Sequence, residues 1–420
     1  MLPGFVATSR SASVRGRAST LVSTSLRKKA RILVAVGCSG LGALLIGSTL
    51  GGVHSSSAHP TLYVSTGGSD ANPCTAAAPC LTFNRAYRRA APGAVVDVRS
   101  GTYPEQAIGG TKAKPGVVFR PARGARVTVD WFEVHADKLE LRGFHTGGWN
   151  AHEDSDGFTA RNLDAANFGI YGAANLRILG GDYGPSYKPS GTTLVNYIAY
   201  GGTDTNPVGP RNVLIDGAYI HDVRRGSASS HTECMFVNAG DGITIRNSRF
   251  QRCDVFDIFF TRGPYGPPAT HVLLENNFFD EATVDGRYDV CCTYYAVRFS
   301  DQIGQLDHVT LRYNSALQSL NVGTTNNVDV QLIANVGPRR QSECGGGIAF
   351  AYNVWTAARC SRTDRRAPSR FVDPEHLNLH LKRGSRAVNA GDPTNFPKRD
   401  IDGQRRPTGR RPDAGADERR

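Results

Sequence analysis

A chain of 420 residues with 47 glycines, 22 prolines and 40 % hydrophobic residues has the composition of a folded protein with one long core, which excludes a disordered or collagen-like chain. The net charge of +12 is unevenly placed: residues 1–58 carry +7 and residues 361–420 carry +6, which leaves residues 59–360 near −1. A near-neutral middle removes the electrostatic case for nucleic acid, and no interleaving of basic and aromatic residues of the kind that holds single strands is present.

Residues 1–31 hold seven basic and no acidic residues, and a 22-residue apolar run, 32–53, follows them. Ser56-Ser57-Ala58 then offers a small-residue cleavage site. The run is longer than the apolar stretch of most export signals and long enough to span a bilayer, so a cleaved signal peptide and a retained transmembrane helix both fit. Either way residues 1–58 form a segment of their own, its basic end stays cytoplasmic, and the rest is secreted or displayed at the cell surface. Membrane contact is expected only through this segment, and the displayed part is expected to be a monomer.

Residues 59–94 read as an N-terminal cap. Within 81–91, Leu81, Phe83, Ala86, Tyr87 and Ala90 share one helical face and Arg85, Arg88 and Arg89 the other, which predicts a short helix stopped by Pro92-Gly93. Its apolar face is expected to plug the start of the core.

From Val96 to Phe350 one pattern recurs, an apolar-x-apolar triplet such as Val213-Leu214-Ile215 or Ile243-Thr244-Ile245, with Asn, Gly or Asp a few residues on. The intervals between starts are 21, 22, 37, 37, 30, 29, 37, 19 and 20 residues, so a unit of 19–22 residues carries inserted loops. That period marks a solenoid. The triplets read as strands and no helix-length segment separates them, so residues 95–360 are predicted to form an all-β, parallel β-helix of at least eight coils, right-handed by the crossover rule. Asn247, Asn276, Asn277, Asn314, Asn335 and Asn353 fall just after strands, where asparagine tolerates left-handed backbone and bonds to neighbouring coils. Residues 361–420 are expected to form an irregular C-terminal cap over the open apolar end.

Residues 242–253 (GITIRNSRFQRC) and 271–282 (HVLLENNFFDEA) resemble coils of right-handed parallel β-helix proteins of the pectate-lyase-like superfamily. Residues 63–105 are similar to the opening of such proteins, where a cysteine-bounded loop and a short helix precede the first coil and its Gly-Thr-Tyr turn; residues 380–418 resemble the C-terminal region of bacterial surface proteins called choice-of-anchor Q. The resemblance implies fold, and leaves activity open among lyases, hydrolases, epimerases and non-catalytic surface proteins.

Eight cysteines remain outside the apolar run, an even number that in an exported chain favours disulfides. Cys74 with Cys80 and Cys344 with Cys360 are expected pairs. Stacking Phe259 on Val297 and Ile258 on Ala296 places Cys253 over Cys291, a third expected pair, with Cys234 and Cys292 unassigned.

Insertions cluster between 176 and 309, and loops stacked on successive coils form walls of a groove able to take an extended polymer such as a cell-wall polysaccharide. His231, Glu233, Asp257 and Arg298 lie at or beside strands expected to stack there and are the candidate catalytic residues; His221, Asp222, Arg287 and Tyr294 are candidates for substrate binding. Glu233 with Asp257 would serve glycoside hydrolysis by paired carboxylates, and His231 or Arg298 would serve a polysaccharide lyase. Pectate lyases of the resembling superfamily show a calcium-binding group of Asp residues plus an Arg, and polygalacturonases an Asn-x-Asp and an Asp-Asp pair; neither pattern occurs here. A non-catalytic glycan-binding or adhesive face would need only aromatic residues such as Trp149, Tyr171, Tyr183, Tyr187, Tyr197 and Tyr200, and a purely structural envelope role would need none. No motif requires a cofactor; Ca2+ is the cation that the oxygen-rich tail around Asp392, Asp400, Asp402 and Asp417 would suit.

Overall fold

Strand alternation organises the molecule. In Arg211–Asp216, Asp241–Arg246, Thr270–Glu275, Asp307–Arg312 and Val328–Ile333 the pairs Val213/Ile215, Ile243/Ile245, Val272/Leu274, Val309/Leu311 and Val330/Leu332 point inward and are buried. The same positions align from coil to coil, so identical rows of side chains build one continuous column. The computed structural model describes residues 61–188, 195–226, 232–280, 295–323, 326–338 and 344–420. The expected signal peptide or transmembrane helix, with its basic leader, therefore lies outside the described residues; among those described, no helix is long and apolar enough to cross a membrane.

Three parallel sheets form the walls of a right-handed helix. Sheet I has 12 strands, from Leu62–Val64 to Ile348–Ala351. Sheet II has 13, from Gly101–Tyr103 to Arg365–Arg366, and sheet III has 9, from Gln106–Gly110 to Ser319–Val322. The corner between sheets I and II is tight because one residue per coil is left-handed, among them Asn162 (φ 47°), Asn247 (φ 52°) and Asn276 (φ 55°). The next residue turns inward, and Asn277, Asn314, Asn335 and Asn353 form a buried ladder there: each Oδ1 accepts from the coil before, at 2.9–3.1 Å, and each Nδ2 donates to a carbonyl such as Ile245 O or Leu311 O. The ladder satisfies backbone groups that a corner would otherwise strand inside the core.

Three expectations need correction. The 37-residue interval from 139 to 176 is not an insertion but a whole further coil, whose sheet I strand Thr159–Arg161 pairs with Leu139–Arg142 on one side and Arg177–Leu179 on the other. Phe158 and Ala160 are its inward residues, and without β-branched aliphatics the strand is hard to see in the sequence. The register between 258 and 299 is shifted by one, with Ile258 on Val297 and Phe259 on Arg298. Ala296 is a buried extra residue at a bulge, and the shift keeps charged Arg298 out of the core. Cys253, accordingly, is bonded not to Cys291 but to Cys234 (Cα–Cα 5.3 Å). The amide of Cys234 bonds to Phe256 O, which sets it against the end of Arg249–Cys253; Cys291 lies outside the described residues. Cys74–Cys80 and Cys344–Cys360 are bonded as expected.

The plug helix is Phe83–Arg89, capped by Thr82, whose Oγ1 accepts from Arg85 N. Phe83 packs on Phe119, Tyr103, Phe132 and Phe144 at 5.3–5.7 Å between ring centroids. Leu81 lies before the cap and is exposed. The C-terminal segment lies along the flank of the late coils rather than over their open end. Ala387, Ala390, Ala414 and Ala416 join Phe278, Tyr313, Val336 and Val354 in a second core. Its acidic residues are structural: Asp400 accepts from Asp402, Gln404 and Glu418 amides, Asp413 from Asn389 and Arg419, and Glu418 from Thr408 and Asp413. Buried Arg406 donates to Gly415 O and Ala416 O.

Candidate functional site

The expected cluster divides between different parts of the wall. His221 and Asp222 stand on sheet II, where Tyr219–Arg225 pairs with Asp182–Tyr183 and Arg249–Cys253. His221 bridges Asp182 (2.7 Å) and Asp222 (2.6 Å), and Asp222 accepts from Arg252 Nε at 2.6 Å. The Arg252 bond, followed by the bond to His221, lowers the Asp222 carboxyl to about 2 against the pull of partial burial. This is a closed ionic network on a different face from Arg298. Glu233 and Asp257 are buried at 2 % exposure each. Burial, with the charge of Asp280 added, pushes the Asp257 carboxyl well above its ordinary range. Neither carboxylate faces the outer surface of sheet III. His231, Arg287 and Tyr294 lie outside the described residues.

Arg298 does face outward, and it belongs to a row that the register lays out coil by coil: Glu133, Asn150, Gly169, Tyr197, Phe236, Phe259, Arg298, Asn321. Period-two alternation explains it, because Phe132, Trp149, Phe168, Met235 and Ile258 take the inward positions beside them. Rings touch one another across six coils, stacked face to face from His135 to Tyr171 and edge-on or tilted from Tyr171 to Phe259, with a sideways step at Tyr171, whose register partner is Ala199. His135 lies on His152 (4.2 Å, 4° between planes), His152 on Tyr171 (5.8 Å), Tyr171 against Tyr197 (6.0 Å), Tyr197 on Phe236 (5.4 Å) and Phe236 on Phe259 (5.4 Å). Five steps of about 4.8 Å give a rail of roughly 24 Å. Of the other aromatic residues expected on a binding face, Trp149 and Tyr183 are in the core, Tyr187 is exposed on sheet II, and Tyr200 donates to Pro267 O at 2.6 Å, bridging two inserted loops beside the rail.

The two ends of the rail differ. At one, Arg298 stacks over Tyr295 (4.9 Å) and donates to Asn321 Oδ1 at 2.7 Å. At the other, Glu133 accepts from Asn150 Nδ2 at 2.9 Å and pairs with His152 Nε2 at 2.6 Å, and His135 Nδ1 pairs with Asp154 at 2.8 Å. Glu133, His135 and His152 each present a donor atom within 4.8 Å of the others. Burial raises Tyr171 and lifts Tyr197 to about 12, so both phenols stay neutral hydroxyls at ordinary pH. Sequence reasoning missed this end. The signal was Phe132-Glu133-Val134-His135-Ala136, in which acid and imidazole alternate with apolar residues.

No family model matches the chain, and no curated protein matches it. Among solved structures, pectate lyase Pel9A is similar over 86 % of this chain and 96 % of its own, at 16 % identity and a TM-score of 0.51. The fold is the right-handed parallel β-helix. A rhamnogalacturonan lyase (14 % identity, TM-score 0.37, 74 % of this chain and 90 % of that one) and XylC in complex with xylose (8 %, 0.41, 85 % and 98 %) also match.

Proposed function

We propose that the protein is an exported or surface-displayed β-helix that binds an extended polysaccharide along the outer face of sheet III and acts on it at the Glu133–His152 end. The carrying observation is the line of touching rings from His135 to Phe259, whose apolar surface suits successive sugar rings and whose polar ends suit hydroxyl and carboxyl groups. Inserted loops on the flank, tied by Tyr200 to Pro267, support a groove rather than an open surface. Three disulfides support an oxidising compartment, in keeping with export by the N-terminal segment.

Gel electrophoresis through embedded uronate and neutral polysaccharides, followed by assays for new reducing and unsaturated ends, tests the reading. Retardation by at least one polymer, weakened by Tyr197→Ala and Phe236→Ala, is expected. Cleavage that His152→Ala removes while retardation persists would place the chemistry at the polar end, and retardation without cleavage of any polymer would reduce the reading to glycan binding alone.

A further inference from the structure

Glu133 and His135 sit two residues apart on one strand and therefore point to the same side, and Asn150, in register with Glu133, sets His152 beside His135 on the next coil. From this juxtaposition we infer that Glu133, His135 and His152 form a binding site for a divalent transition metal ion, Zn2+ being the best match. Two imidazoles and one carboxylate are a donor set of that class, unlike the all-oxygen sets that hold Ca2+ or Mg2+.

The supporting shell is already in place. Asp154 takes Nδ1 of His135, which fixes the ring and leaves Nε2 for an ion. Asn150 holds Oε1 of Glu133 and leaves Oε2, the oxygen now bonded to His152 Nε2. The imidazoles stack at 4.2 Å, with a ligand atom of each within 4.8 Å of the other and of a Glu133 carboxylate oxygen. Tetrahedral bonds of about 2.0–2.2 Å to all three donors set the donor atoms roughly 3.4 Å apart, so the 2.6 Å His152–Glu133 contact opens by about 0.8 Å and the two rings tilt out of parallel toward the ion, movements that side-chain torsions supply. An ion there would stand at the end of the ring rail, where it would polarise an oxygen of a bound sugar or activate a water; that role rests on the polysaccharide reading, whereas binding of the ion does not.

The test is titration of the chelator-treated full-length protein with Zn2+ by calorimetry and with Co2+ by visible absorption. One equivalent is expected, with Co2+ bands of a nitrogen- and oxygen-ligated site. Affinity should fall at least ~100-fold in His152→Ala and Glu133→Gln and about 10- to 100-fold in Asp154→Asn. It should be unchanged in Tyr197→Ala, which weakens only glycan binding, and in His380→Gln, which alters the other His and carboxylate cluster, His380 with Asp402 and Asp417. Absence of stoichiometric binding, or binding indifferent to His152→Ala and Glu133→Gln while both variants keep the wild-type melting temperature, would overturn the assignment. Glycan retardation by metal-free protein would leave the polysaccharide reading standing in that case.

Discussion

Replacing Asn335 by Leu tests whether the corner ladder holds the coils together. Asn335 is fully buried; its Oδ1 accepts from Asn314 N (3.1 Å) and Asn314 Nδ2 (3.0 Å), and its Nδ2 donates to Leu311 O (2.8 Å). Leucine fills a similar volume and leaves those three groups without their partner. At ~2 kcal/mol for each buried group so stranded, the loss is roughly 6 kcal/mol. Burial of the leucine side chain offsets about 2 kcal/mol, for a net destabilisation of about 4 kcal/mol. With an unfolding entropy of ~2.1 cal/mol/K per residue, a folded body of this length loses about 5 °C in melting temperature. Differential scanning calorimetry of wild type and Asn335→Leu measures it. A shift under 1 °C would refute the argument that the amide ladder, rather than apolar stacking alone, fixes this corner.

Phe83→Ala removes the centre of an aromatic cluster and should cost about 3–5 kcal/mol, read as a lower urea midpoint; an unchanged midpoint would mean that the helix does not plug the core. Non-reducing peptide mapping should recover Cys234 linked to Cys253, and a Cys253–Cys291 peptide would contradict the register. The C-terminal segment is tied to the coils by Asp402, which bonds to both His380 and Arg249 at 2.6–2.7 Å. The Asp402 bond raises His380 above its ordinary 6.5, so its contribution is whole below that pH and is lost as pH climbs through the raised value. The same bond lowers Asp402 below 3.8, so its contribution is present above that pH and is lost as pH falls through the lowered value. The gap in melting temperature between wild type and His380→Gln should thus be widest between about pH 4 and 6.5 and narrow above; a gap constant to pH 9 would remove the ion pair from the account.

The solenoid was legible because its inward residues repeat at a fixed spacing and burial permits little else there. Phe158-Thr159-Ala160 escaped that reading because a coil needs only apolar inward residues, not β-branched ones. Register between sheets was harder: the buried bulge at Ala296 adds one residue that no local pattern announces, and this one step carried the Cys253 pairing with it. Side-chain direction at the expected cluster was equally hard to read. Alternation aims Asp257, next to inward Ile258, outward and Glu233, two residues before inward Met235, inward, yet both lie in the bend between sheets II and III and are buried. Glu133, His135 and His152 come from coils without insertions, so a search for inserted loops passed over them. The tail's carboxylates drew attention as cation ligands, but Asp400, Asp413 and Glu418 serve backbone amides of an irregular segment, which has few other acceptors.

The most direct test of the account is the affinity of the protein for the polysaccharide that retards it most, measured for single alanine substitutions along each sheet. Tyr197→Ala and Phe236→Ala on sheet III should each weaken binding about tenfold, in line with ~1.4 kcal/mol for a stacked ring. Tyr219→Ala, whose ring stacks on His221 on sheet II, should leave it unchanged. Loss of binding in Tyr219→Ala with none in Tyr197→Ala and Phe236→Ala would contradict the assignment of the outer face of sheet III.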